Sequence, residues 1–155
     1  MGSEKEYPRQ EVFALSLRIW HPTIDAEEIA SAFPFDAKRI CRAGEQRSTP
    51  TGKPLEGIYR ENFYVGDIVT RDEIGNTGFD TSLDSCIELA LDRLASSEQF
   101  LARLKQAGAR TEFFVGWTIR SNGGAELDPT LLARLAEAGI TLSLDVYAKS
   151  SINEE

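Results

Sequence analysis

Histidine is nearly missing from this sequence: His21 is the only one among 155 residues. A single imidazole excludes His-paired metal sites, the HExxH pattern and any catalytic arrangement built on two rings. Cysteine is almost as scarce. Cys41 and Cys86 share no CxxC spacing and have no companion His nearby, so they encode neither a zinc knuckle nor a redox pair and read as reduced, half-buried packing residues. Glycine and proline, at 12 and 6, are too few for a collagen-like or low-complexity chain. No apolar run approaches the roughly 18 residues of a membrane span. The opening Met1-Gly2-Ser3-Glu4-Lys5-Glu6 lacks a signal-peptide apolar stretch, and Glu6 stands where myristoylation requires Ser or Thr. The expectation is a cytoplasmic protein with no membrane partner.

Basic residues are also in deficit. Seventeen Lys and Arg against 25 Asp and Glu give a formal charge of −8, so the average field repels phosphate backbones and nucleic acid is not an expected partner. What remains is ordinary globular composition, 41% hydrophobic and 27% charged, with a length suited to one domain. That domain is expected over residues 11–148, between flexible ends at 1–10 and 149–155.

Residues 12–20 alternate, with Phe13, Leu15, Leu17 and Ile19 on one side, which marks a strand with one strongly apolar face. Asp25 and Glu28 form a capping box for a helix reaching about Phe33 before Pro34. Short strands are predicted at 37–42 and 58–65. Residues 44–54 between them, rich in turn formers, are read as a long mobile loop. Residues 66–80 look irregular. A second capping box, Thr81 with Asp84, opens one long Leu-striped helix closed by Gly108. Alternation predicts a strand at 111–120, Asp128-Pro129 starts a third helix ended by Gly139, and a last strand follows at 140–147. This order, β-α-β-β-α-β-α-β, predicts an α+β two-layer sandwich with a ferredoxin-like β-α-β-β-α-β start and an added helix and strand.

Several of these features together resemble a known family. They are the strand ending in His21-Pro22, the Asp25-Ala26-Glu27-Glu28-Ile29 helix start, the Gly44-Glu45-x-Arg47 loop with Pro50 and Gly52, the Leu-rich helix, and the closing Leu142-x-Leu144-Asp145-x-Tyr147. The chain is similar over about residues 11–148 to a widespread bacterial family described only as a domain of unknown function. Phe63-Tyr64 stands where that family commonly carries a Trp. The resemblance implies a small bacterial cytoplasmic domain and brings no activity with it.

No reactive constellation is legible. The segment 44–53 has the glycines and Lys of a phosphate loop, but Arg47 stands where Walker A needs Gly and Pro54 where it needs Ser or Thr. A calcium loop from Asp72 would want an oxygen ligand at Ile74 and Gly at Thr77. Neither a metal nor a cofactor is expected, and His21 is read as a turn residue.

Charge placement says more. Residues 61–92 hold eight acids and one base, whereas 38–60 hold six bases and two acids. The acidic segment, with Asp67, Asp72, Glu73 and Asp80 as its candidate surface, suits a basic protein partner of a non-enzymatic binding module, immunity-type or regulatory. The alternative is a small-anion binder or enzyme on the sheet face away from the strand-1 core. Period two places Arg18, Trp20, Phe114, Arg120, Asp145 and Tyr147 there, with paired arginines to orient an anion and Asp145 as an acid or base. Uncovered aromatics on that face also suggest a homodimer, unless residues 66–80 fold across it.

Overall fold

In a computed structural model, residues 11–76, 82–119 and 123–148 are described. Seven strands and five helices follow one another as β1 (Glu11–His21), α1 (Ala26–Ser31), β2 (Ala37–Cys41), β3 (Gln46–Ser48), β4 (Pro54–Ile58), β5 (Asn62–Val69), α2 (Arg71–Asn76), α3 (Leu83–Arg93), α4 (Glu98–Gln106), β6 (Arg110–Ile119), α5 (Pro129–Ala138) and β7 (Ile140–Ala148). The main sheet has the order β2-β5-β1-β6-β7, and β3-β4 is a separate two-stranded ribbon. Every neighbour in β2-β5-β1-β6 is antiparallel, which is the split β-α-β arrangement; β7 then joins β6 in parallel after α5. The fold is therefore α+β, as the element order predicts.

Strand β1 is central because its alternation is the most strictly apolar. Phe13, Leu15, Leu17 and Ile19 are at most 1% exposed, and they meet Phe113 and Val115 of β6 and Tyr64 of β5 under the helices. The helices contribute one stripe each: Ile29 from α1, Leu83, Ile87 and Leu91 from α3, Leu101 and Leu104 from α4, Leu131 and Leu135 from α5. Among the described residues, the core stripes of α1, α3, α4 and α5 all pack on this one face of the sheet. Among the described residues, no helix is long and apolar enough to cross a membrane.

Local chemistry corrects four expectations. The 44–54 stretch is not one loop, because it supplies β3 and leads into β4. Thr49 N–H donates to Lys53 O at 2.8 Å, and Gly52, at φ 91°, makes the reversal a residue with Cβ resists. The strand expected at 58–65 lies instead at Asn62–Val69. Asn62 sets its start, donating to Ile24 O at 2.7 Å and accepting from Ala43 N at 2.8 Å. Residues 66–76 are regular: β5 continues to Val69, and Thr70 with Glu73 caps α2 reciprocally, each side chain accepting from the other's N–H, at 3.3 and 3.2 Å. Residues 77–81 lie outside the described residues. The single long helix is two. The first, Leu83–Arg93, is capped by Ser82 and Leu94, and a 3₁₀ turn at Ala95–Ser97 leads into α4. Serines favour such breaks, and the Ser97 hydroxyl donates to Ala32 O at 3.0 Å, tying the turn to the end of α1. Gly108 and Gly139 take the left-handed positions expected of them, at φ 76° and 69°.

Both cysteines are free and fully buried rather than half-buried, Cys41 at 4% and Cys86 at 1% exposure. Burial pushes the Cys86 thiol up to about 12. His21 is buried too. Its Nδ1 accepts from Thr23 N at 3.0 Å and Ile24 N at 2.8 Å, so Nε2 carries the hydrogen and donates to Ala107 O at 3.0 Å. The imidazole thus closes the turn after β1 and ties it to the end of α4.

Candidate functional site: an arginine-rich groove at the open sheet face

Register across four strands builds rows of side chains on the helix-free face. Arg110, Trp20, Phe63 and Cys41 stand opposite one another in turn, and the next row is Glu112, Arg18, Val65 and Arg39. Trp20 and Phe63 stack with ring centroids 4.9 Å apart and planes 22° from parallel. The Arg110 guanidinium lies 4.1 Å from the Trp20 ring centroid, on the other flank.

Beyond this row stands the β3-β4 ribbon, held by Arg39. The Arg39 guanidinium donates to Ser48 O at 2.6 Å and to Tyr59 Oη at 3.0 Å, while Tyr59 donates to Ser48 O and accepts from Ser48 N, both at 3.0 Å. Between ribbon and sheet lies a groove of about 440 Å³. Its sheet side is Trp20, Phe63 and Arg110, its ribbon side includes Pro50, Leu55 and Tyr59, and Arg39, Arg47 and Arg60 complete the wall. Glu61 is the one acid lining it.

The basic side chains divide into those held by a carboxylate and those left without one. Lys38, Arg42, Arg93, Arg103 and Arg134 each reach a carboxylate: Asp67, Glu27, Glu73, Glu28 and Asp92 respectively. Among the described residues, Arg18, Arg39, Arg47, Lys53, Arg60, Arg71, Lys105 and Arg110 have no ion pair, and four of these, Arg39, Arg47, Arg60 and Arg110, line the groove. A chain of net charge −8 thus gathers four guanidinium groups around one concavity, with Glu61 as the acid of its lining.

The residues singled out from sequence fall into separate clusters. Arg18 covers Phe114 at 3.6 Å from its centroid, and its Nε is buried without a hydrogen-bond partner among the described residues. Asp145 and Tyr147 bond to each other near the far end of the face, and that bond raises the Tyr147 hydroxyl above its ordinary pKa. Trp20 alone lines the groove; Arg18, Asp145 and Tyr147 do not. Of the open-face rings expected to drive dimerisation, Phe114 and Trp20 carry arginines over them, Arg18 and Arg110, and Tyr147 is exposed. Of the acidic candidates, Asp67 accepts from Ser16 at 3.1 Å and pairs with Lys38 at 3.6 Å. Glu73 is chelated by Arg93, which holds its carboxyl below the usual range, and Asp72 is exposed on α2. Arg120 and Asp80 lie outside the described residues.

Sequence reasoning missed Arg39, Arg47, Tyr59, Arg60, Phe63 and Arg110 as a group. The basic excess of 38–60 was the available signal. Among the described residues no three His, Cys, Asp or Glu side chains converge to hold a metal ion.

The fold and groove together define a small α+β domain with a basic, aromatic recess on an open sheet. The family model Domain of unknown function (DUF4279) matches residues 10–149, so the chain belongs to that family. No curated protein and no solved structure matches it.

Proposed function

We propose that this domain is a binding module whose ligand is a small anion-bearing molecule seated in the groove between the β3-β4 ribbon and the sheet. The observation that carries this reading is the set of four arginines without ion pairs around Trp20 and Phe63. Guanidinium groups present planar forks suited to carboxylate and phosphate, and four of them gathered around one concavity make a local positive field that attracts an anion. The lining contains neither His nor Cys and a single acid, Glu61, which favours binding over turnover. The buried free thiols of Cys41 and Cys86 suit a reducing compartment such as the cytoplasm.

This reading shifts weight from the acidic segment to the basic one. Asp67 and Glu73 already have cationic partners within the chain, which lowers what they offer to a basic protein. The test is thermal stabilisation by millimolar phosphate, sulfate and aromatic carboxylates. We expect a saturable rise in Tm for at least one anion, abolished in the double variant Arg47→Gln/Arg60→Gln. A rise that is equal in the variant, or no rise with any anion, refutes the proposal.

A further inference from the structure

Resting on that reading, we infer that the groove takes a planar ring joined to an anionic group, a nucleoside monophosphate or an aromatic carboxylate being the two sources of that chemistry. Bare phosphate needs only guanidinium groups, yet here the arginines surround an apolar floor. Trp20 and Phe63 lie 22° from coplanar stacking at 4.9 Å, and Pro50 and Leu55 face them from the ribbon. Phe63 is stacked on one side of Trp20 and Arg110 lies over the other, so a ligand ring stacks on Trp20 in the place Arg110 leaves as it turns toward the anion. The donors divide accordingly. Arg39 is committed to Ser48 and Tyr59, so it shapes the wall. Arg110 lies across Trp20 but keeps its edge free of carboxylates. Arg47 makes one long contact, 3.4 Å to Glu56 O, and Arg60 has no hydrogen bond among the described residues. Arg47, Arg60 and Arg110 are thus the groups able to turn toward an anion.

Size and charge narrow the class. About 440 Å³ falls in the range that encloses one small organic ligand. A nucleic-acid strand would also bring a ring and a phosphate, but it extends beyond the groove over a surface whose net charge is −8. A single small anion meets only the local arginines.

Calorimetric titration of the full chain with adenosine monophosphate, 2-naphthoate, inorganic phosphate and adenosine tests this. One of the first two should bind at least tenfold more tightly than both phosphate and adenosine, and the better of them identifies the anionic group. Trp20→Leu should weaken that ligand at least fivefold while leaving phosphate unchanged; Trp20→Phe, which keeps a ring and protects folding, should lose less. Far-ultraviolet circular dichroism confirms that each variant is folded. Phosphate binding as tightly as the ring-bearing anions would overturn the ring requirement and leave the anion-binding module standing. Failure of every anion, phosphate included, would remove the module itself. A single-stranded hexanucleotide binding more than tenfold more tightly than the monophosphate would overturn the small-ligand class.

Discussion

Gly66 is a residue whose missing side chain is explained by one neighbour. Its position in β5 opposes Leu17, and a Cβ there would overlap the Tyr64 hydroxyl and lie 2.9 Å from Tyr64 Cζ. Tyr64 is fully buried, its hydroxyl has no hydrogen-bond partner among the described residues, and burial, followed by the charges of Asp36 and Asp67, pushes it up to about 12. Gly66→Ala should therefore destabilise by about 2 kcal/mol through overpacking. Tyr64→Phe, which removes an unsatisfied hydroxyl, should cost under about 1 kcal/mol or stabilise. In urea denaturation the double variant should recover part of the Gly66→Ala loss, and strict additivity would show that the overlap is not the cause. Glu73 offers a second residue-scale test. Arg93 clasps its carboxylate and also donates to Ile68 O, joining α2, α3 and β5. Because the folded pKa is lowered, the stabilisation is present above the ordinary glutamate value and disappears as pH falls through the folded one. The two side chains are 34% and 37% exposed, so solvent screening limits the effect of Glu73→Gln to about 1 kcal/mol at pH 7. The gap between wild type and variant should narrow as pH falls below the ordinary glutamate value and close only once the folded carboxyl itself is protonated.

Elements whose sequence pattern and tertiary environment agree were the legible ones. Strand β1 alternates without exception at its core, and α5 carries Asp128, Pro129 and Gly139 where cap, first turn and stop belong. Elements defined by one long-range bond were not. Nothing local announces that Asn62 joins Ile24 to Ala43, or that Ser97 reaches Ala32, yet these bonds place the start of β5 and the break between α3 and α4. The Thr70-Arg71-Asp72-Glu73 capping box was present in the sequence, but without an apolar stripe after it the short helix α2 is easily passed over. The β3-β4 ribbon is the extreme case: all its strand residues but Ser48 are exposed, so hydrophobic periodicity is silent there. Its anchor is polar, the Tyr59 hydroxyl bonded to both Ser48 N and Ser48 O and to Arg39. Tyr59→Phe should consequently speed amide exchange at Ser48 at least tenfold while changing global stability by under about 1 kcal/mol. Unchanged exchange at Ser48 would mean that the ribbon holds its position without this tyrosine.

At the scale of the whole molecule, charge segregation was readable and its geometry was not. The basic excess of 38–60 is plain in the sequence, but only pairing across the sheet puts Arg110, from the far side of the chain, beside Trp20 and Phe63. Fold order was easier, because a central apolar strand flanked by β-α-β units admits few sheet orders. The segregation sets two opposing fields on an anion approaching the groove. The −8 total repels it at long range, while the local arginines attract it within a few ångströms. Salt distinguishes them by distance: at about 0.15 M ionic strength the Debye length is about 8 Å, so the distant acids are already screened while contacts in the groove are not. The affinity of a bound anion should therefore fall as salt is raised from about 0.1 to about 1 M, as the screening length shrinks toward about 3 Å. Reversing remote charge should matter little, and Glu88→Lys on α3 should shift the affinity by under about twofold at the higher salt. Calorimetric titration of the same anion across this salt range decides the point: affinity that rises with salt would show that the overall negative charge, rather than the groove arginines, governs binding.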